Sequence, residues 1–204
     1  ANKMVGCLRT FNHEFMNKLH VILGYLETKN PNEAKKFIID NVNASSENVS
    51  KVAREIESTG IAAIIIGKMI SAGKYGIKLE LMPDSYCKNL TAGISFDFYV
   101  TIIGNLLENA IEELRECQQE YKQIDIGLFI DEKYTVISVT DTGRGMSDEV
   151  KSHIFEKGFS TKGTKRGTGL FIVGELVEKY GGTIEVDTEV SEGTSITVTL
   201  ESIL

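Results

Sequence analysis

Residues 140–170 read TDTGRGMSDEVKSHIFEKGFSTKGTKRGTGL. Two glycine pairs bracket the stretch, Gly143 with Gly145 and Gly167 with Gly169. The first pair directly follows the alternating run Tyr134 to Thr140, so Asp141 stands at the end of a strand. A carboxylate there can accept a hydrogen bond from an exocyclic amine. The two glycines let backbone approach a flat base or take positive φ. A plain Asp-Gly turn would use the same residues. The second pair, in Gly167-Thr168-Gly169-Leu170, opens a helix expected from about Leu170 to Tyr180. Glycines there free backbone N–H groups, and a helix N-terminus attracts phosphate; a glycine-started helix cap is the plainer reading. Lys157, Lys162, Lys165 and Arg166 gather just before it, where a polyphosphate would be drawn in an otherwise acidic chain. Met146 to Arg166 holds few core residues and reads as a loop or lid, anchored by Phe155 and Phe159.

On the N-terminal side of this stretch, Phe98 to Glu116 has Ile103, Leu107, Ala110, Ile111 and Leu114 on one helical face. Asn105 and Asn109 lie opposite that face, one turn apart. Two amides so placed can hold a hydrated Mg²⁺ and phosphate oxygens without adding negative charge. Most such pairs simply face water, and spacing does not say which of the two would ligate a metal. Ile124 to Ile130 and Tyr134 to Thr140 read as paired strands around Asp131-Glu132. Thr183 to Glu189 and Ser195 to Leu200 read as a final hairpin around Ser191-Glu192-Gly193, and Ile77 to Leu81 as a further strand before the turn at Pro83-Asp84. Helices with mostly antiparallel strands make this part α+β, an α/β sandwich. The texture changes near Gly73, which divides the chain into residues 1–73 and 74–204.

The first third is helical. Leu8, Phe11, Phe15, Leu19, Ile22 and Leu26 form one narrow stripe, as in a helical bundle. Asn30-Pro31-Asn32 ends or sharply bends this helix. A second helical stretch follows, with Val49, Val52, Ile56 and the apolar block Ile61 to Ile70. Two such helices bury too little alone, and a dimeric four-helix bundle of antiparallel hairpins would supply the missing surface. His13 falls ~140–160° from the centre of the stripe at about 100° per residue. It is therefore exposed, with Glu14 beside it and Asn17 one turn on along the same polar side. An adjacent carboxylate can take the imidazole proton as the other ring nitrogen attacks. A solvated His-Glu pair carries the same residues, and His20 competes as a second polar-side histidine.

Composition narrows the classes. The chain has 204 residues, enough for two domains, and a net charge of −7 without a long basic run, which argues against nucleic-acid binding. Cys7, Cys87 and Cys117 are scattered without metal spacing, which fits a reducing compartment. No apolar run approaches the ~20 residues that span a bilayer, so any membrane anchor would lie in parts of a parent protein absent from this chain. The Walker A and protein-kinase signatures are missing, so phosphate binding would need a different nucleotide fold.

The order of motifs supplies that fold by resemblance. Asn105-Leu106-Leu107-Glu108-Asn109-Ala110 resembles the asparagine box of the Bergerat ATP-binding fold. Asp141-Thr142-Gly143-Arg144-Gly145 resembles its first glycine box, Phe155-Glu156-Lys157-Gly158-Phe159 its phenylalanine box, and Gly167-Thr168-Gly169-Leu170 its second glycine box. Gly193-Thr194 matches a late Gly-Thr whose hydroxyl supports the adenine end. Topoisomerases, heat-shock chaperones, mismatch-repair ATPases and anti-sigma kinases share this fold. The N-terminal Asn12-His13-Glu14-Phe15-Met16-Asn17-Lys18-Leu19-His20 separates them, because it resembles the phosphoacceptor box of the citrate and dicarboxylate sensor histidine kinases.

That resemblance implies a cytoplasmic, homodimeric kinase core of a membrane sensor. Residues 1–73 would be its dimerisation and histidine-phosphotransfer domain, and residues 74–204 its catalytic ATP-binding domain. ATP and Mg²⁺ are the implied cofactors, and a response regulator receiver domain is the implied partner. In the implied mechanism Glu14 activates His13, Asp141 fixes adenine, and Asn105 and Asn109 hold Mg²⁺ and phosphates. Gly167 and Gly169 cradle the phosphate tail, and Lys162 and Arg166 stabilise charge from the lid. Asn17 could orient a water that removes phosphate from the regulator. Two rivals remain: an ATP-driven conformational clamp that never phosphorylates itself, and a phosphotransfer scaffold with a degenerate ATP site.

Overall fold

The computed structural model describes residues 20–41, 46–159 and 168–202. The chain splits into two compact units, Ala1–Asn43 and Ala44–Leu204. In the first, residues 20–27 are the described part of helix α1, and α2 runs Pro31–Asn41. Between them the Thr28 and Asn30 amides bond back to the Gly24 and Tyr25 carbonyls. Lys29 takes φ 59°, the left-handed conformation that ends many helices. Pro31 then opens α2, at a position where its missing N–H is not needed. The expected break at Asn30-Pro31-Asn32 is thus a hairpin, closed by the Tyr25 and Phe37 rings at 6.2 Å. Val21, Leu23 and Leu26 remain exposed. The stripe positions Leu8, Phe11, Phe15 and Leu19 lie outside the described residues.

The second unit is built on a six-stranded mixed sheet of order β1-β3-β4-β6-β5, with β2 also pairing β3. Its strands are β1 Lys78–Leu81, β2 Tyr86–Cys87, β3 Gln123–Ile130, β4 Tyr134–Asp141, β5 Thr183–Glu189 and β6 Gly193–Glu201. β1 and β2 run parallel to β3, and the remaining pairs are antiparallel. Period-2 alternation decides the faces. Ile124, Ile126, Leu128, Ile137, Val139, Ile196 and Val198 point inward and are buried. The other face carries cross-strand hydroxyl pairs, Ser138 with Thr197 at 3.0 Å and Thr140 with Ser195 at 2.9 Å.

Helices cover the apolar face. α5, Phe96–Glu116, buries Phe98, Ile102, Ile103, Leu106, Leu107, Ala110, Ile111 and Leu114, a stripe recurring every three or four residues. α7, Gly169–Lys179, packs beside it through Val173 and Val177. Each such buried aliphatic side chain contributes about 1.5–3 kcal/mol against its exposed state.

Two sequence expectations change. The stretch read as a second bundle helix is two helices, α3 Ser46–Glu55 and α4 Thr59–Gly73. Between them Ile56 bridges Cys87, and the Glu57 amide bonds the Cys87 carbonyl at 2.9 Å. Val52, Ile56, Ile61, Ile65 and Met69 join the core of the second unit. The two compact units divide at Asn43 and Ala44, and Gly73, near which the sequence texture changes, is the last residue of α4. Finally, the segment read as a lid contains a short helix, α6 Asp148–His153. Ser147 caps it by accepting the Val150 amide, and Lys151 and His153 sit in its last turn.

Candidate functional site

β4 ends at Asp141, which is 6% exposed. Its register partner on β6 is Thr194, 7% exposed, so the two side chains meet at one end of the sheet. Asp141 Oδ1 accepts the Gly143 amide at 2.8 Å. The Thr194 hydroxyl shares a 3.0 Å bond with Thr188, whose oxygen also accepts the Met146 amide at 2.9 Å. These bonds tie the first glycine motif to the last hairpin. Gly145 takes φ +65°, and a Cβ there would run into the Glu189 carbonyl, so only glycine fits.

α5 presents Asn105 and Asn109 on the side away from its apolar stripe. Asn105 donates from Nδ2 to the Thr101 carbonyl at 2.7 Å, which fixes its carboxamide. The first residue of α7 lies directly against it: a Cβ on Gly169 would stand 2.9 Å from Asn105 Oδ1. The missing methyl lets the α7 N-terminus, whose first amides have no acceptor within the helix and which carries the positive dipole end, close on the asparagine helix.

Between these elements lies a cleft of about 660 Å³, within the range that takes a nucleotide-sized ligand. Asn105, Asn109, Asp141, Gly145, Thr168, Gly169, Leu170 and Thr194 all line it. Gly143 acts behind the wall through its bond to Asp141. Phe159 lines the cleft, while Phe155 packs against the core. Lys162, Arg166 and Gly167, and likewise His13, Glu14 and Asn17, lie outside the described residues.

Some lining residues escaped the sequence reading. Met146, Val150, Ile154 and Val190 give the cleft an apolar wall. Glu108, Glu112, Glu113 and Glu116 give the α5 side an acidic one. Arg144 forms a two-pronged bond to Glu113, Nε to Oε1 at 2.7 Å and Nη2 to Oε2 at 3.1 Å. That carboxylate holds the guanidinium pKa above its ordinary value. The acidic wall had a signal, since Glu108, Glu112 and Glu116 recur every four residues on the asparagine side of α5. Val190 had none, because it reaches the cleft from a turn that only the β5–β6 hairpin positions.

A buried acceptor and hydroxyl at one end, a helix N-terminus and two amides at the other, and a fitting volume between them make this cleft a candidate nucleotide site. Residues 95–203 match the family described as histidine kinase-, DNA gyrase B-, and HSP90-like ATPase. The chain belongs to that family. Residues 1–55 match the SpoOB-type sensor kinase alpha-helical domain, and with both parts present the chain has the make-up of a sensor histidine kinase core.

Its relatives agree. The chain is 32% identical over 197 residues to the probable C4-dicarboxylate sensor kinase of Halalkalibacterium halodurans, covering 96% of this chain and 37% of that protein. It is 37% identical over 187 residues to the sensor histidine kinase DcuS of Escherichia coli, covering 89% and 33%. It is 37% identical over 196 residues to the sensor protein CitS of Bacillus subtilis, covering 94% and 35%. The chain thus spans roughly a third of the length of these curated relatives. The catalytic domain of histidine kinase ThkA shares the fold with a TM-score of 0.58 at 22% identity, over 76% of this chain and 95% of that one.

Proposed function

We propose that this chain transfers the γ-phosphoryl group of MgATP to its own His13 and then to an aspartate of a response regulator. The observation that carries the reading is the cleft joining Asn105, Asn109, Asp141, Thr194 and the α7 N-terminus, in a chain whose first 55 residues match a sensor-kinase helical domain. Asp141 accepts the exocyclic amine of adenine, with Thr194 supporting it and Gly143 and Gly145 shaping the base pocket. Asn105, Asn109 and the amides of Thr168, Gly169 and Leu170 meet the phosphates, joined by Gly167, Lys162 and Arg166.

Mg²⁺ would neutralise phosphate charge. No cluster of three or more His, Cys, Asp or Glu among the described residues could hold a metal. The cation would therefore lean on an asparagine amide, phosphate oxygens and water, which suits a hard ion that keeps several waters.

In the transfer step one imidazole nitrogen of His13 forms a bond to the γ-phosphorus. The bond from that phosphorus to the bridging oxygen of ADP breaks, and Glu14 accepts the proton from the other ring nitrogen. Catalysis is chiefly positioning and charge stabilisation. The phosphoryl group then passes to the regulator's carboxylate and leaves His13 free. The functional division is drawn near residue 73, with α3 and α4 joining the phosphoacceptor part to the ATP-binding part. The α1–α2 hairpin of the first unit would pair with a second copy as a four-helix bundle. Among the described residues no helix is long and apolar enough to cross a membrane. A C4-dicarboxylate stimulus is proposed from the name of the Halalkalibacterium halodurans relative, and placement on the cytoplasmic side of a membrane sensor from the resemblance of the phosphoacceptor box.

The test is incubation with γ-labelled ATP, with and without Mg²⁺, followed by acid treatment. Wild type should take up an acid-labile label that requires Mg²⁺. His13→Gln should lose the label and keep ATP binding, while His20→Gln keeps both. Label persisting in His13→Gln would move the acceptor elsewhere. Phosphate release without labelled protein would make the chain a conformational ATPase.

A further inference from the structure

The described lining of the cleft is charged against its own ligand. Glu108, Glu112, Glu113, Glu116 and Asp141 line it, and Arg144 is the one cation among its described lining residues. Arg144 is engaged at the base end, with Glu113 at 2.7 Å and Glu116 at 3.6 Å. The other end is where a triphosphate would lie, between Asn105 and the α7 N-terminus. Glu108 stands there, three residues beyond Asn105 and so about 4.5 Å further along the α5 axis. An unopposed carboxylate at that point would repel the phosphates.

Glu108 is opposed. Lys68, on α4, places Nζ 2.5 Å from Glu108 Oε2. The lysine does not line the cleft. Its side chain is 23% exposed, against 48% for Glu108, and α4 is anchored on the core by Ile65 and Met69 on either side. A pair this exposed adds little to folding stability. Its geometry has a second consequence: it draws the Glu108 carboxylate toward α4 and cancels its charge beside Asn109.

We propose that Lys68 is a positioning residue for nucleotide binding, acting through Glu108 to make the phosphate end of an acidic cleft habitable for a polyphosphate. The inference rests on placing the phosphates at the Asn105–Gly169 end. It also makes α4 part of the nucleotide site, since any shift of this helix that broke the pair would leave Glu108 facing the phosphates.

Calorimetry on the full 204-residue chain with ATP, ADP and adenosine tests it. Lys68→Met should weaken ATP binding about three- to tenfold, with a larger deficit at low salt. ADP should lose less and adenosine nothing. Adding Glu108→Gln to Lys68→Met should restore ATP affinity to within about twofold of wild type, because the uncompensated charge is gone. Lys68→Arg should bind as wild type does, which guards against a folding artefact. ATP affinity unchanged in Lys68→Met, equal loss for ATP and adenosine, or no rescue by Glu108→Gln would each overturn the inference. Wild type binding ATP no more tightly than adenosine would instead overturn the placement of the phosphates, and this inference with it.

Discussion

At Asp141 a carboxylate is buried at a strand end, bonded to the Gly143 amide and set beside Thr194. Replacing it with Asn keeps the shape but exchanges an acceptor oxygen for a donor amide. A lost charge-assisted bond costs about 1.5–3 kcal/mol. Asp141→Asn should therefore weaken ATP binding by roughly ten- to a hundredfold, measured by titration. Unchanged affinity would remove Asp141 from the adenine role. Cys87 offers a separate check on the core. It is fully buried, and burial pushes its thiol from an ordinary 9.0 up to about 11. Between those values the unfolded chain releases a proton that the folded chain keeps. Stability from this source is thus complete below pH 9 and falls as pH rises toward 11. The urea midpoint of wild type should drop more steeply over that window than that of Cys87→Ala. Parallel pH profiles would show that the thiol ionises as readily in the fold as outside it.

Among the elements, α7 shows how a helix end becomes a site. Its first residue is legible in sequence as part of a glycine motif, yet the reason for glycine is the Asn105 side chain opposite. Gly169→Ala should fold normally, since alanine favours helix. Its methyl would press on Asn105 and move either the amide or the α7 N-terminus. ATP affinity should fall about tenfold, a cost of ~1.4 kcal/mol, while adenosine affinity holds. ATP binding at wild-type strength would mean the close approach has no part in phosphate recognition. The helices and strands themselves were readable because their periods differ. Asn105 and the α5 stripe, the β3–β4 pair and the final hairpin lie where the sequence pattern places them. β2 was not readable, since two residues carry no period. The join at Ile56 was not either, because an apolar residue suits a helix as well as a bridge to Cys87.

At the scale of the molecule, the first unit leaves Val21, Leu23 and Leu26 exposed. Leu26 belongs to the same stripe as Leu8, Phe11, Phe15, Leu19 and Ile22. An apolar stripe that continues into exposed positions calls for another helix surface. The full chain should sediment as a homodimer held through its first unit, and Phe15→Asp should dissociate or unfold that unit by placing a charge in the seam. A wild type that stays monomeric at dilute concentration with its helicity intact would contradict the bundle.

Local chemistry made much of the candidate cleft legible in sequence alone. Strand ends, helix starts and the glycines between them marked Asp141, Asn105, Asn109, Gly145 and Gly169 as candidates, because each motif needs only its own neighbours; Thr194 came from the resemblance, and all six line the cleft. What spans long separations had to wait for tertiary structure. Lys68 meets Glu108 across forty residues, and Arg144 meets Glu113 across thirty-one. The apolar run Ile61 to Ile70 reads equally well as a bundle seam or as a helix on a sheet. Periodicity says that a face is buried. Only the packed chain decides against what, and here α3 and α4 bury theirs in the nucleotide-binding unit.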